Sequence, residues 1–187
     1  MTDRAQRVAR ARLFPDFDGD TEELIRALAD VGRRIWAARW LGELGEQRAV
    51  PGLVKLSRAS NPHVRTAAVR ALGDLRARDA LPRLIEMAEN DPNPVAQSWS
   101  AGALGEIGSP EVVPLLKNLL RSPERIVRQG AVYALGLIGN PSVVPALREA
   151  RRTDRRLRPY PFLGRHVYRQ AMKRIKNHER AQRKNMP

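Results

Sequence analysis

The chain has 187 residues, enough for one domain or one short repeat array. Its 42% apolar content excludes wholesale disorder, and the lack of any cysteine excludes disulfides, thiolate metal sites and cysteine nucleophiles. The net charge of +14 gathers at the ends: Arg4, Arg7, Arg10 and Arg12 crowd the start, Lys and Arg crowd residues 148–187, and the middle is nearly neutral. Such asymmetry predicts contact with something acidic.

The first residues contain no apolar run of signal-peptide length, and no stretch approaches the roughly 18 apolar residues of a membrane span. A cytoplasmic protein is expected. Residues 1–19 read as a basic arm, with Leu13, Phe14 and Phe17 available to dock it and Pro15 and Gly19 interrupting it. Asp20 with Glu23 resembles a capping box, and Leu24, Ile25 and Leu28 follow at helical spacing.

From there the chain repeats. Leu-Gly pairs begin at Leu41, Leu72, Leu104 and Leu135, spaced 31, 32 and 31 residues apart, and Pro51, Pro82, Pro114 and Pro145 each follow ten residues later. A period of this size marks a solenoid. One helix of each unit carries apolar residues at −8, −4, 0 and +3 from the leucine, as in Val64, Ala68, Leu72 and Leu75. A second helix carries the proline in its first turn, where a missing N–H costs little. Asn61-Pro62, Asn93-Pro94 and Ser122-Pro123 read as N-cap plus first helical proline. The Leu-Gly pair and the later proline read as turning elements, and Gly45, Gly108 and Gly139 as left-handed helix ends. Arg76 replaces that glycine in the second unit, so a different turn is expected there.

Helices are predicted near 21–30, 33–44, 48–58, 63–75, 79–89, 95–107, 111–121, 124–138 and 142–151. The divisions are a basic arm over 1–19, a solenoid over 20–152, a basic proline-containing loop over 153–163, and a capping helix and tail over 164–187. In the last helix Val167, Ala171 and Ile175 are read as positions −8, −4 and 0. The expected fold is all-α: a right-handed α–α superhelix of about four to five helical pairs.

VRTAAVRALGDL followed by ALPRLIEM, and VRQGAVYALGLIGNPSVVPAL, resemble HEAT-like repeats of the kind first grouped with phycobilin lyases. The resemblance runs from Arg33 to Arg151 and implies that the VRxxAAxALG helix lines a concave side. Such repeats serve scaffolds, chromophore lyases, hydroxylases and a DNA glycosylase, so the likeness does not name a function.

At about 100° per residue, positions −6, −2 and +2 face away from the core. With Trp99 at −5, they supply the concave-face candidates for a protein partner: Arg39, Thr66, Arg70, Asp74, Ser98, Trp99, Glu106, Gln129 and Tyr133. Arg39 with Glu43 and Arg70 with Asp74 also stand at ion-pair spacing. Arg34, Arg65 and Arg128 share position −7 and are read as bridges between repeats. Arg155, Arg156, Arg158, Arg165, Arg169, Lys173, Arg174 and Lys176 are candidates for an acidic partner or nucleic-acid phosphates. His63, His166 and His178 are too scattered for a metal site, and no motif calls for a cofactor. The leading reading is a non-enzymatic scaffold. The alternatives are an RNA- or ribosome-binding protein using the basic ends, and a bilin-lyase-like or DNA-glycosylase-like enzyme working in the groove.

Overall fold

The computed structural model describes the backbone of residues 21–156 and 161–184, and side chains over 21–153 and 166–181. Every element among the described residues is helical: α1 (Thr21–Ala27), α2 (Arg34–Leu44), α3 (Val50–Leu56), α4 (Pro62–Asp74), α5 (Leu81–Asn90), α6 (Pro94–Ile107), α7 (Val113–Leu119), α8 (Arg125–Ile138), α9 (Val144–Arg156) and α10 (Pro161–Lys184). None is long and apolar enough to cross a membrane.

Each odd-numbered helix packs on the even-numbered one that follows, giving five pairs. The even helices also pack on one another in one unbroken row, α2 to α10, and form the tighter, inner row of an α–α superhelix. Leu41, Leu72, Leu104 and Leu135 are fully buried beneath it, and Leu53, Leu84, Leu116 and Leu147 meet them from the outer row.

Local chemistry starts and stops these helices. The Asn61 side chain accepts from His63 N at 2.9 Å and Asn93 from Val95 N at 2.9 Å, each followed by a proline at the first helical position. Ser122 Oγ likewise accepts from the N–H two residues on, Glu124 N at 3.2 Å, but α8 starts only at Arg125, so Pro123 is not its first helical residue. Gly45, Gly108 and Gly139 close α2, α6 and α8 at φ near 74°. Arg76 adopts φ 49° and makes the same closing bonds, with its N–H to Gly73 O and the Ala77 N–H to Leu72 O. The different turn expected at Arg76 is therefore absent; the arginine takes the glycine's conformation and carries its strain.

The Leu-Gly glycine does not turn the chain. Gly42, Gly73, Gly105 and Gly136 lie inside or near the end of helices, where the next inner helix comes closest. A Cβ on Gly42 would stand 2.9 Å from Ala71 Cα, one on Gly105 2.7 Å from Ala134 Cβ, and one on Gly136 2.7 Å from Ala171 Cβ. Glycine here admits a neighbouring backbone.

That contact also corrects the register of α10. Ala71, Ala103 and Ala134 precede the repeat leucine by one or its equivalent, so Ala171 places Met172, not Ile175, at position 0. Ile175 then falls at +3 and Tyr168 at −4, both buried. The loop expected over 153–163 is helical at both ends, since α9 runs to Arg156 and α10 begins at Pro161.

Gly105→Ala is expected to destabilise the fold by about 1–3 kcal/mol through overpacking. Gly102, three residues away, has nothing nearer its Cβ position than Tyr133 Cδ1 at 3.8 Å. Gly102→Ala should therefore be neutral or stabilising by up to about 1 kcal/mol. Urea denaturation of both variants checks the pair. Arg76→Gly should add about 0.5–1 kcal/mol by the same assay, because the left-handed strain disappears.

Candidate functional site

The face expected to be concave is built from the outward positions of α2, α4, α6, α8 and α10, and it divides into strips. Near the N-terminal ends lie Ile35, Val95, Trp99 and Ile126, all exposed although apolar. Val95 and Ile126 sit nine residues before their leucines, about 180° around the helix from the core. The outward-position arithmetic had stopped at −6 and passed over both.

Along the middle, two aromatic rings on α6 and α8 are each flanked by an arginine, from α4 and α10. Arg70 Cζ lies 5.5 Å from the centroid of the Trp99 ring, and Arg174 Cζ lies 5.1 Å from that of Tyr133. Trp99 is 42% exposed and Tyr133 36%. Each cation covers an aromatic ring of a neighbouring helix, a contact worth about 0.5–1 kcal/mol in the open. Trp36 shares the −5 position of Trp99 but is partly buried against the core, its ring centroid 6.1 Å from that of buried Trp40.

The C-terminal ends carry carboxylates. Asp74 is a surface residue, yet its Oδ2 stands 3.3 Å from the Cβ position of Gly42 on the helix before. Glu106 leans over Gly73 in the same way. Burial against these helix ends raises both carboxyls above their ordinary values; Arg70 opposes the rise in each, while Glu43 adds to it at Asp74 and Asp74 adds to it at Glu106. An open cleft of about 400 Å³ lies between them, with Arg76, Gly105 and Leu137 on its walls. A larger outer cleft, about 620 Å³, separates α7 from α9, but its Arg128 is bonded to the Ser122 and Pro123 carbonyls at 2.8 Å.

The other concave candidates are more structural. Arg39 pairs with Glu43 at 3.0 Å. Thr66 Oγ1 donates to Pro62 O at 2.8 Å within its own helix, and Ser98 Oγ to Ile126 O at 2.9 Å across to α8. Gln129 is half-buried. Of the basic C-terminal residues, Arg169, Lys173, Arg174 and Lys176 are exposed on α10. The side chains of Arg155, Arg156 and Arg165, and the whole of Arg158, lie outside the described residues. The corrected register puts Arg165 at −7, the position of Arg65 and Arg128.

Position −7 ties repeats together. Arg65 Nε and Nη2 donate to both carboxylate oxygens of Asp91, at 2.8 and 2.7 Å, and its Nη1 reaches the Ala59 and Ser60 carbonyls. In the third unit Gln97 Nε2 donates to Glu89 O at 3.2 Å. The two side chains of the Arg65–Asp91 pair are 9% and 3% exposed.

These repeats match the HEAT-repeat family model over residues 21–104 and 81–158, and the chain belongs to that family. Over 99 residues, 46% of the chain, it is 33% identical to phycocyanobilin lyase subunit alpha of Nostoc sp. PCC 7120, and the match spans 36% of that protein's length. A solved chain from the complex of CpcE and CpcF of phycocyanin lyase, from the same organism, superposes with a TM-score of 0.68 at 25% identity, over 88% of this chain and 69% of that one. An engineered protein superposes with a TM-score of 0.54 at 21% identity, covering 84% of this chain and 78% of that one, and shares the fold. These relatives overturn the expectation of a non-enzymatic chain, because both natural ones are parts of a lyase and point to a lyase-related function. They lend no support to nucleic-acid binding.

Burial alone would raise the Asp91 carboxyl, but the Arg65 fork and the Asn93 N–H outweigh it and hold it below its ordinary value of 3.8. Its contribution to stability is full above that value and is lost as pH falls through the depressed one. Asp91→Asn is expected to cost about 2–4 kcal/mol at neutral pH and to abolish that acid-dependent step, as read by denaturation across pH.

Proposed function

From its membership of the HEAT-repeat family and its likeness to a lyase subunit, we propose that the chain is a bilin-lyase-type subunit. Its concave face joins a protein partner and contacts a linear tetrapyrrole. The observation that carries this reading is the superposition on a phycocyanin lyase chain across 88% of the residues.

The chemistry of the face supports it. A linear tetrapyrrole has a flat conjugated surface, carboxylate side chains and pyrrole N–H groups. Trp99 and Tyr133 offer rings for the flat surface. Arg70 and Arg174 stand over those rings, placed for the carboxylates. Asp74 and Glu106 offer acceptors for the N–H groups. Burial raises both carboxyls above their ordinary values. The partner is a protein that completes the enclosure, since the concave face of one chain is open to water.

The test combines purified chain, phycocyanobilin, an acceptor apoprotein and proteins captured from the host. A new visible band that requires the chain and a captured protein is expected. Trp99→Ala or Arg70→Ala should weaken bilin binding about tenfold, a loss of about 1.4 kcal/mol, with the helical circular dichroism intact. No spectral change with bilin under any combination overturns the reading.

A further inference from the structure

The row of inner helices ends at α10, and its end is chemically marked. In α2, α4, α6 and α8 the side turned to the next inner helix holds Ala38, Val69, Ala101 and Val132 at position −3, all fully buried, and a glycine at position +1. With Met172 at position 0, α10 has Arg169 and Lys173 at those two positions, both exposed. A helix stacked as in the other repeats would meet the Lys173 side chain where its own backbone should lie. Close stacking stops here, and the side of α10 that would receive a sixth inner helix is open among the described residues.

Two further cations stand on that side. Lys176 at +4 and Arg180 at +8 are exposed as well. At 100° per residue the four fall within about 60° of one another, and at 1.5 Å per residue they form a single file about 16 Å long. Among the described residues, none of the four makes an ion pair or a side-chain hydrogen bond. Arg174 belongs to another side of the helix, over Tyr133. Glu179, the one carboxylate among the described side chains of α10, is half-buried and lies about 90° from the file, toward the core.

Shape and charge together select the occupant. In each earlier repeat this side of the inner helix is covered by another helix. A second α-helix has the same rise and turn, so carboxylates at i, i+4, i+7 and i+11 on it stand in register with the four cations. That spacing reads the same in both directions and admits either orientation. Long side chains on both helices hold the axes farther apart than the glycine contacts do, which accommodates Lys173. The described part of α10 exposes no Phe, Tyr or Trp on which a base could stack, and no bulky apolar side chain that could enter a bilayer.

We propose that Arg169, Lys173, Lys176 and Arg180 form a docking stripe for an acidic helix of a protein partner, laid along α10 and held by ion pairs. The stripe lies about 90–130° around α10 from the outward positions −2 and +2, so its occupant leaves the face of Trp99 and Tyr133 open. The docking goes beyond the bilin reading and does not rest on it.

The probe is a stably helical peptide of about five turns with four glutamates at the stated spacing. Its control is an isomer of the same composition with the glutamates spread around the helix. Fluorescence anisotropy with the full chain should show the striped peptide binding at least about tenfold tighter than the isomer, and about 0.5 M NaCl should remove most of that preference. Joint replacement by Arg169→Gln, Lys173→Gln, Lys176→Gln and Arg180→Gln should abolish the preference with the helical circular dichroism intact. Lys55→Gln, Arg78→Gln, Lys117→Gln and Arg121→Gln remove the same charge from exposed positions elsewhere and should leave it unchanged. Equal affinity for the two peptides, or a preference that survives in the stripe variant, overturns the proposal. Stripe-dependent binding of duplex RNA or of phosphatidylserine vesicles, with no preference between the peptides, also overturns it and assigns the stripe to a nucleic acid or a membrane. A chain inactive with bilin that still prefers the striped peptide leaves this inference standing and removes the bilin reading alone.

Discussion

Where the inner helices meet, one side of the contact has no side chain. Gly42, Gly73, Gly105 and Gly136 let the alanine of the next inner helix approach to where a Cβ would stand. The same contact sets the chemistry of the inner row. Because the helices nearly touch, the residue after the glycine cannot extend over its own helix, and the Asp74 and Glu106 side chains lean onto the glycine of the helix before. The carboxylates are brought into mutual repulsion by the packing that builds the fold.

A second constraint works from the other end of the helices. The repeats are 31 residues long except where Asp91-Pro92-Asn93 adds one. That extra residue lets Asp91 take the Arg65 fork while Asn93, two positions on, caps α6 through Val95 N and Ala96 N. A single residue cannot supply both groups. The irregular interval is thus the site of a buried ion pair that holds the second repeat to the third. The second and third repeats are thus held at two points, by the glycine contact at the C-terminal ends of the inner helices and by the Arg65–Asp91 pair near their N-terminal ends.

The helices, the repeat and the fold class were legible because burial imposes a 3.6-residue rhythm that the chain repeats four times. Glycine function was not. A glycine that turns a chain and one that admits a backbone look alike in sequence, and only the contacts of Gly42 and Gly105 separate them from Gly45 and Gly108. The α10 register was misread for the same reason: Val167, Ala171 and Ile175 fit the apolar rhythm, but the contact of Ala171 with Gly136 decides the frame. Trp36 and Trp99 occupy the same repeat position, but Trp36 is partly buried against the core and Trp99 exposed, because Trp40 gives Trp36 an aromatic neighbour and α6 has no equivalent. Arg70 and Asp74 were placed on the outward face from spacing alone; Arg70 acts on Asp74 within the helix, but Arg70 also covers the Trp99 ring and Asp74 lies against Gly42, contacts with other repeats that spacing does not show. Lyase relationship left no motif to read, since a surface assembled from several repeats needs no local signature.

The corrected frame of α10 gives the concave face a direction. The position after the repeat glycine reads Glu43, Asp74, Glu106, Leu137 and then Arg174. The sign of the strip reverses from one end of the superhelix to the other, with an apolar residue at the crossing. Arg174 at that far end stands over Tyr133, so the cation is tied to an aromatic ring of the preceding helix. A ligand or peptide with charge of one sign along its whole length fits only part of such a strip. A bipolar occupant, cationic or N–H-rich at one end and carboxylate-bearing at the other, fits all of it in one orientation. Such a strip would orient a bipolar occupant through charges carried on different repeats, an arrangement that no single repeat contains.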